Sequence, residues 1–130
     1  MAILNVEDAR CCARRRLPRS LFEYIDRGTE DELSIRDNRR ALDAIRLTPT
    51  ALVDVSIRDQ WVTLFGQRQP SPLVVAPTAV AGLVCHDGEV QLAKAAAAHG
   101  IPFCVATQSI TSIETIAAQS RARLWFQLYV

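Results

Sequence analysis

Apolar and polar positions change their period near residue 70. From Leu73 onward, apolar runs and amphipathic stretches alternate, whereas earlier apolar residues are sparser and fall mostly at helical spacing. Leu73-Val74-Val75-Ala76-Pro77-Thr78-Ala79 carries no charge and is rich in valine, as in a strand covered on both faces of a parallel sheet. Pro77 has no N–H to give a ladder, so pairing should stop there and leave main-chain groups and the Thr78 hydroxyl free. An ordinary strand-to-loop junction would read the same way from these residues alone. Asp87 is placed to cap a helix through His99, closed by Gly100, with alanines at 93, 95, 96, 97 and 98 permitting close approach to a sheet. Ile101 to Thr107 reads as a second strand. Thr111 and Glu114 have capping-box spacing, and Ile113, Ile116 and Ala117 give the next helix an apolar face. Leu124 to Val130 reads as a third strand.

Strands beginning at 73, 101 and 124 have the spacing of successive βα units with right-handed crossovers. An open doubly wound sheet and a (β/α)8 TIM barrel both give this pattern. No G-x-G-x-x-G follows the first strand, which disfavours a dinucleotide-binding sheet. A closed barrel typically takes about 250 residues, so the barrel reading makes this the first three βα units of a longer, incomplete barrel.

The earlier part predicts helices. Asn5 is an N-cap for a helix to about Arg16, with Leu4 and Ala9 at staple spacing. Pro18 suits the start of a second helix that turns Leu21, Tyr24 and Ile25 inward and stops at Gly28. Thr29 and Glu32 suggest a capping box for a peripheral helix to about Ile45. Pro49 lies in an extended connector, and Trp61 to Phe65, ended by Gly66, reads as a short outlying strand or hairpin arm. The expected organisation is one partial domain, with N-terminal helices and an outlying strand over 1–70 and the βα units over 71–130.

On the third strand, alternation sets Leu124, Phe126, Leu128 and Val130 against Trp125, Gln127 and Tyr129. The apolar set should meet helices, leaving Gln127 and Tyr129 near the C-terminal end, where parallel βα proteins build ligand sites. Gln127 offers both a donor and an acceptor, suited to the edge of a heterocycle or simply to a neighbouring main-chain group. In the same phase Cys104 and Ala106 share a face with Ala76. These small side chains leave room for a planar cofactor lying across the strand ends.

Composition narrows the classes. The chain has 130 residues, 49% of them hydrophobic, enough for one core, and a formal net charge of +1 that excludes a global field for nucleic acid. Arg14-Arg15-Arg16, with Arg10 and Arg19, reads as a solvated helix end. No apolar stretch approaches the roughly 20 residues of a membrane span, and the N-terminus has no basic-then-apolar leader pattern, so a cytoplasmic protein is expected. Cys11, Cys12, Cys85 and Cys104 lack C-x-x-C spacing and read as reduced thiols; His86 beside Cys85 makes no metal set.

Taken together, Leu17-Pro18, Phe22-Glu23-Tyr24 with Gly28, Asn38, Leu52-Val53-Asp54-Val55, Ala76-Pro77-Thr78-Ala79, Gly88-Glu89, Ser112-Ile113-Glu114 and Trp125-Phe126-Gln127-Leu128-Tyr129 form a collinear set. This set resembles the N-terminal part of the FMN-dependent α-hydroxy-acid oxidases and dehydrogenases, and looks closer to lactate and mandelate dehydrogenases than to glycolate oxidase. The resemblance implies a (β/α)8 barrel beneath an N-terminal helical segment, with FMN at the C-terminal strand ends. It implies flavin contacts from Ala76, Pro77, Thr78, Ala79, Ala106 and Gln127, with Gln127 on the pyrimidine edge. Family members commonly carry serine at the position of Ala106. Tyr24 and Tyr129 would hold the substrate, Tyr129 also acting in catalysis. The reaction implied is oxidation of a small L-2-hydroxy acid to the 2-oxo acid. The family's histidine base, arginine pair and lysine have no counterpart here, so this chain alone is expected to be inactive. The resemblance also implies a homo-oligomer when intact and, as in quinone-linked members, attachment to the inner face of a membrane. A non-catalytic fragment acting by association, and another FMN barrel such as an isomerase, are the competing readings.

Overall fold

The computed structural model describes residues 3–130, which form two compact units, one ending at Val53 and one running Asp54–Val130. The first unit is helical: α1 (Val6–Arg16), α2 (Arg19–Asp26) and α3 (Leu33–Ala44). Asn5 caps α1 as expected, its side chain accepting from the Asp8 N–H at 2.8 Å. Leu4 stays exposed, so no staple forms. Asp26 on α2 receives Arg10 of α1 through two guanidinium contacts at 2.5 and 2.9 Å, which hold its carboxyl below the usual range.

Two further expectations fail in this unit. The residue α2 buries is Phe22, while Tyr24 is 63% exposed and Ile25 is also exposed. With only eight residues, α2 has two turns, and the face carrying Phe22 is the one that packs. The helix after Gly28 begins at Leu33, because Glu32 adopts a left-handed φ of 58° and its carboxylate turns back to accept from the Gly28 N–H at 3.2 Å. Thr29 therefore closes a turn through its carbonyl, which accepts from the Glu32 N–H at 3.0 Å, instead of capping a helix. No residue of α3 is buried, consistent with a peripheral helix.

The second unit opens with a hairpin, β1 (Val62–Leu64) paired antiparallel with β2 (Gln67–Gln69). Phe65 and Gly66, at φ 49° and 75°, form the two-residue turn whose twist suits such strands. The Phe65 ring meets Trp125 edge to face at 5.1 Å, and Arg68 lies 4.2 Å over the Trp61 ring. Gln69 is fully buried. Its Nε2 donates to the Ser71 carbonyl at 3.0 Å and its Oε1 accepts from Arg123 Nη1 at 3.4 Å.

The βα alternation follows: α4 (Ala81–Val84), α5 (Gly88–Ala98), β3 (Phe103–Val105), α6 (Ile113–Ser120) and β4 (Leu124–Phe126). β3 and β4 are parallel neighbours, with Phe103 opposite Leu124, Cys104 opposite Trp125 and Val105 opposite Phe126. The first expected strand contracts to one parallel bridge, Val75 to Phe103. Its N–H donates to the Pro102 carbonyl and its carbonyl accepts from the Cys104 N–H, both at 2.9 Å. Longer pairing fails for a chemical reason, since Pro72, Pro77 and Pro102 have no N–H to extend the ladder.

Val90, Ala93, Ala96, Phe103, Val105 and Ile116 form the buried core, with Val75, Ile101, Ala122 and Leu124 packed against it. Alanine at 93 and 96 lets α5 lie close on the sheet, as the sequence suggested. The end of α5 is fixed by Gly100 at φ 66°, where Gly100 N–H donates to Ala97 and Ile101 N–H to Ala96. These are the two bonds of a Schellman stop. α6 is capped by Ser112, whose hydroxyl accepts from the Thr115 N–H at 3.3 Å, one residue later than the expected Thr111. The apolar row expected to meet helices is only partly covered. Leu124 joins the core, but Phe126, Leu128 and Val130 are exposed.

Candidate functional site

Parallel register decides which side chains share the face opposite the core. Since Val75 stands beside Phe103 and Val105 beside Phe126, Ala76, Cys104, Ala106, Trp125 and Gln127 fall on that other face. Burial lifts the Cys104 thiol above its ordinary pKa, which keeps it neutral and unreactive. Beyond the paired residues the chain turns into two loops at the C-terminal strand ends, 76–87 and 106–112. They touch directly, for the Val80 N–H donates to the Gln108 carbonyl at 3.2 Å.

The first loop begins with Ala76, Pro77 and Thr78, all exposed. Thr78 Oγ1 donates to the Ala76 carbonyl at 3.4 Å. None of the hydrogen bonds among the described residues is donated by the main-chain N–H of Ala76, Thr78 or Ala79. In the second loop, Ala106 is buried and its carbonyl accepts from the Ser109 N–H at 3.0 Å. Gln127 continues β4, its N–H donating to the Val105 carbonyl at 2.9 Å. Its Oε1 accepts a long bond, 3.4 Å, from the Thr107 N–H, and its carbonyl accepts from the Thr107 hydroxyl. Gln127 thus satisfies a neighbouring main-chain group through its side-chain oxygen.

The structure brings Ala76, Pro77, Thr78, Ala79, Ala106 and Gln127 to one end of the parallel segments. Tyr129 lies two residues beyond Gln127 and is 61% exposed. Tyr24 belongs to the other unit, on α2. His86 is exposed beside Asp87 at 3.4 Å, and among the described residues no cluster of His, Cys, Asp or Glu could hold a metal ion.

Thr107 escaped the sequence reading, and so did the role of Glu89, which entered only as part of a matching stretch. Thr107 ties the second loop to Gln127, and a polar residue directly after an apolar strand was its only signal. Glu89 is 1% exposed, although an acid in the first turn of a helix ordinarily signals nothing more than a favourable dipole. Its Oε1 accepts from the Ile110 N–H at 3.2 Å and its Oε2 from the Thr111 hydroxyl at 3.1 Å. Burial pushes its carboxyl up, but these bonds and the N–H groups of Glu89 and Gly82 outweigh it and hold the group below its ordinary value.

Residues 13–130 match the profile of a family described as FMN-dependent dehydrogenase. The chain belongs to that family. Among curated relatives, the L-lactate dehydrogenase of Caulobacter vibrioides (strain NA1000 / CB15N) is 45% identical over 130 residues, all of this chain and 34% of its own length. The (S)-mandelate dehydrogenase of Pseudomonas putida is 42% identical over 128 residues, 98% of this chain and 33% of its own. A crystal structure of the monotopic membrane protein (S)-mandelate dehydrogenase superposes with a TM-score of 0.91 at 42% identity, covering all of this chain and 35% of that one. The chain therefore spans about a third of the length of these relatives. Among the described residues no helix is long and apolar enough to cross a membrane.

Proposed function

We propose that this chain is the front part of a (β/α)8 barrel and supplies one edge of an FMN site. The parent activity is oxidation of an L-2-hydroxy acid, of the lactate or mandelate class, to the 2-oxo acid. The observation that carries this reading is the strand-end edge, where main-chain N–H groups of Ala76, Thr78 and Ala79 that donate no hydrogen bond among the described residues lie at the same end of the parallel segments as small Ala106 and the Gln127 amide. That donor set fits a flat heterocycle with alternating carbonyl and N–H groups. When bound, FMN accepts the hydrogen that leaves the hydroxyl-bearing carbon.

The residues present do the binding and orienting. The 76–79 main chain and Gln127 would hold the ring by its edges, and Ala106 and Cys104 would leave room for it. Tyr24 and Tyr129 offer phenolic donors for the substrate carboxylate and hydroxyl. Proton removal needs a base within hydrogen-bond reach of that hydroxyl. His99 follows the far end of α5, away from the strand-end loops, and His86, in the first of those loops, is exposed against Asp87 at 3.4 Å, so neither is assigned that part. The 130-residue chain on its own is accordingly inactive. Similarity to a monotopic membrane protein supports membrane-surface attachment in the whole protein.

The test is a chimera in which this chain replaces the segment it matches in the C. vibrioides L-lactate dehydrogenase. The chimera should purify with bound FMN and bleach it anaerobically on addition of L-lactate. Tyr24→Phe and Tyr129→Phe should raise KM or lower kcat at least tenfold. A folded chimera without flavin, or tyrosine variants with unchanged kinetics, would overturn the reading.

A further inference from the structure

We propose that Glu89 is a positioning residue that pins the two strand-end loops together, so that Thr78, Ala79 and Ala106 are presented in one register to the same ligand. The inference rests on the FMN-edge reading for what the ligand is, and on geometry for the pin itself.

Glu89 sits in the first turn of α5 and reaches two separate segments. Its hydrogen-bond partners Ile110 and Thr111 come from the second loop, and Gly82 of α4, in the first loop, lies so close to the carboxylate that an added Cβ would come within 3.1 Å of Oε2. All of these partners donate, and a carboxylate is acceptor-only, so it satisfies them without bringing a competing N–H. Among the described residues no cation pairs with it. A carboxylate buried without a counter-charge is costly unless hydrogen bonds replace water, so an apolar residue of similar volume would serve simple packing better.

Two glycines make room for the arrangement. A Cβ at Gly82 would come within 3.1 Å of Glu89 Oε2, and one at Gly88 within 2.5 Å of the Ala81 carbonyl oxygen. Both permit the approach of α4 to α5 that brings the carboxylate within reach. The consequence runs outward along the strand ends. Ile110 and Thr111 fix the far end of the loop whose near end is Ala106 and Thr107, and Thr107 bonds Gln127. The Val80 to Gln108 bond carries the same register back to the first loop.

Amide hydrogen exchange in the 130-residue chain tests the pin, and fluorescence quenching of FMN by the chimera tests its purpose. Glu89→Gln should speed exchange at Val80, whose N–H does not touch Glu89, at least tenfold, and weaken FMN binding at least tenfold. Thr111→Val, a milder cut, should move both in the same direction by less. Ile116→Val, a core change, should lower thermal stability but leave the FMN affinity within twofold. Unchanged Val80 exchange in both loop variants overturns the pin, whether or not flavin binds. Faster exchange with unaltered FMN affinity reduces Glu89 to a fold-stabilising residue and overturns its positioning role. A chimera that binds no FMN defeats the functional reading, and Val80 exchange still decides the pin.

Discussion

Glu89 has a consequence for acid stability that follows from the sign of its shift. Its carboxyl lies below the ordinary value in the folded chain, so the unfolded chain binds that proton more readily. The stabilisation is therefore complete above the ordinary glutamate range and is lost as pH falls through the folded value. Glu89→Gln should flatten the acid limb of the stability curve, which urea denaturation at a series of pH values would measure. Glu89→Ala should cost more at neutral pH, about 1–3 kcal/mol for each buried donor left unpaired. At the residue scale the sequence was readable where a side chain's role follows from its own chemistry, as with Asn5 at a helix start or Gln127 at a strand end. It was opaque where the role depends on which distant segment arrives. Nothing near Gln69 or Glu89 announces that each would be buried and bonded to a distant segment, Gln69 to Arg123 and Glu89 to Ile110 and Thr111. Tyr24 misled in the opposite direction, since helical spacing alone cannot choose between the Phe22 face and the Tyr24 face of two turns.

Among the elements, α5 was the most legible, because its alanines, its glycine stop and its length all agree. Its two bordering glycines differ in what they permit. Gly100 needs a left-handed φ, and an added Cβ would make only ordinary contact with Pro70 at 3.4 Å, so Gly100→Ala should cost roughly 1–2 kcal/mol. Gly88 has ordinary φ but no room, as an added methyl would strike the Ala81 carbonyl oxygen. Gly88→Ala should be the more destabilising of the two, and thermal melts of the pair would reveal the order. The strands were legible in place and direction but not in length. Three prolines confine pairing to short ladders, a tertiary outcome that hydrophobic runs overstate. Both glutamate capping boxes dissolved for a related reason. Glu32 turns back to Gly28, and Thr111 gives its hydroxyl to Glu89, leaving the cap of α6 to Ser112.

For the whole molecule, the resemblance carried by scattered short motifs proved sound at the family level, while periodicity alone had left an open sheet and a barrel equally available. The residues up to Val53 and those from Asp54 cluster as separate compact units, and the division falls in the stretch after Pro49 that the sequence marks as an extended connector. The expectation that the chain alone is inactive has a direct measurement. Mixed with FMN and L-lactate or (S)-mandelate without oxygen, the 130-residue chain should leave the flavin absorbance unbleached. Bleaching would mean that a base exists within these residues after all.

The contact of Phe65 with Trp125 makes the second unit self-reporting. Both tryptophans of the chain lie there, Trp125 against Phe65 and Trp61 beneath Arg68, so ultraviolet emission watches the hairpin and β4 and is blind to α1, α2 and α3. Far-ultraviolet circular dichroism sees the helices of both units. In a denaturant titration the two signals should part company, emission following one cooperative step and dichroism a broader one. Phe65→Leu should shift the emission transition to lower denaturant while leaving the remaining dichroism step where it was.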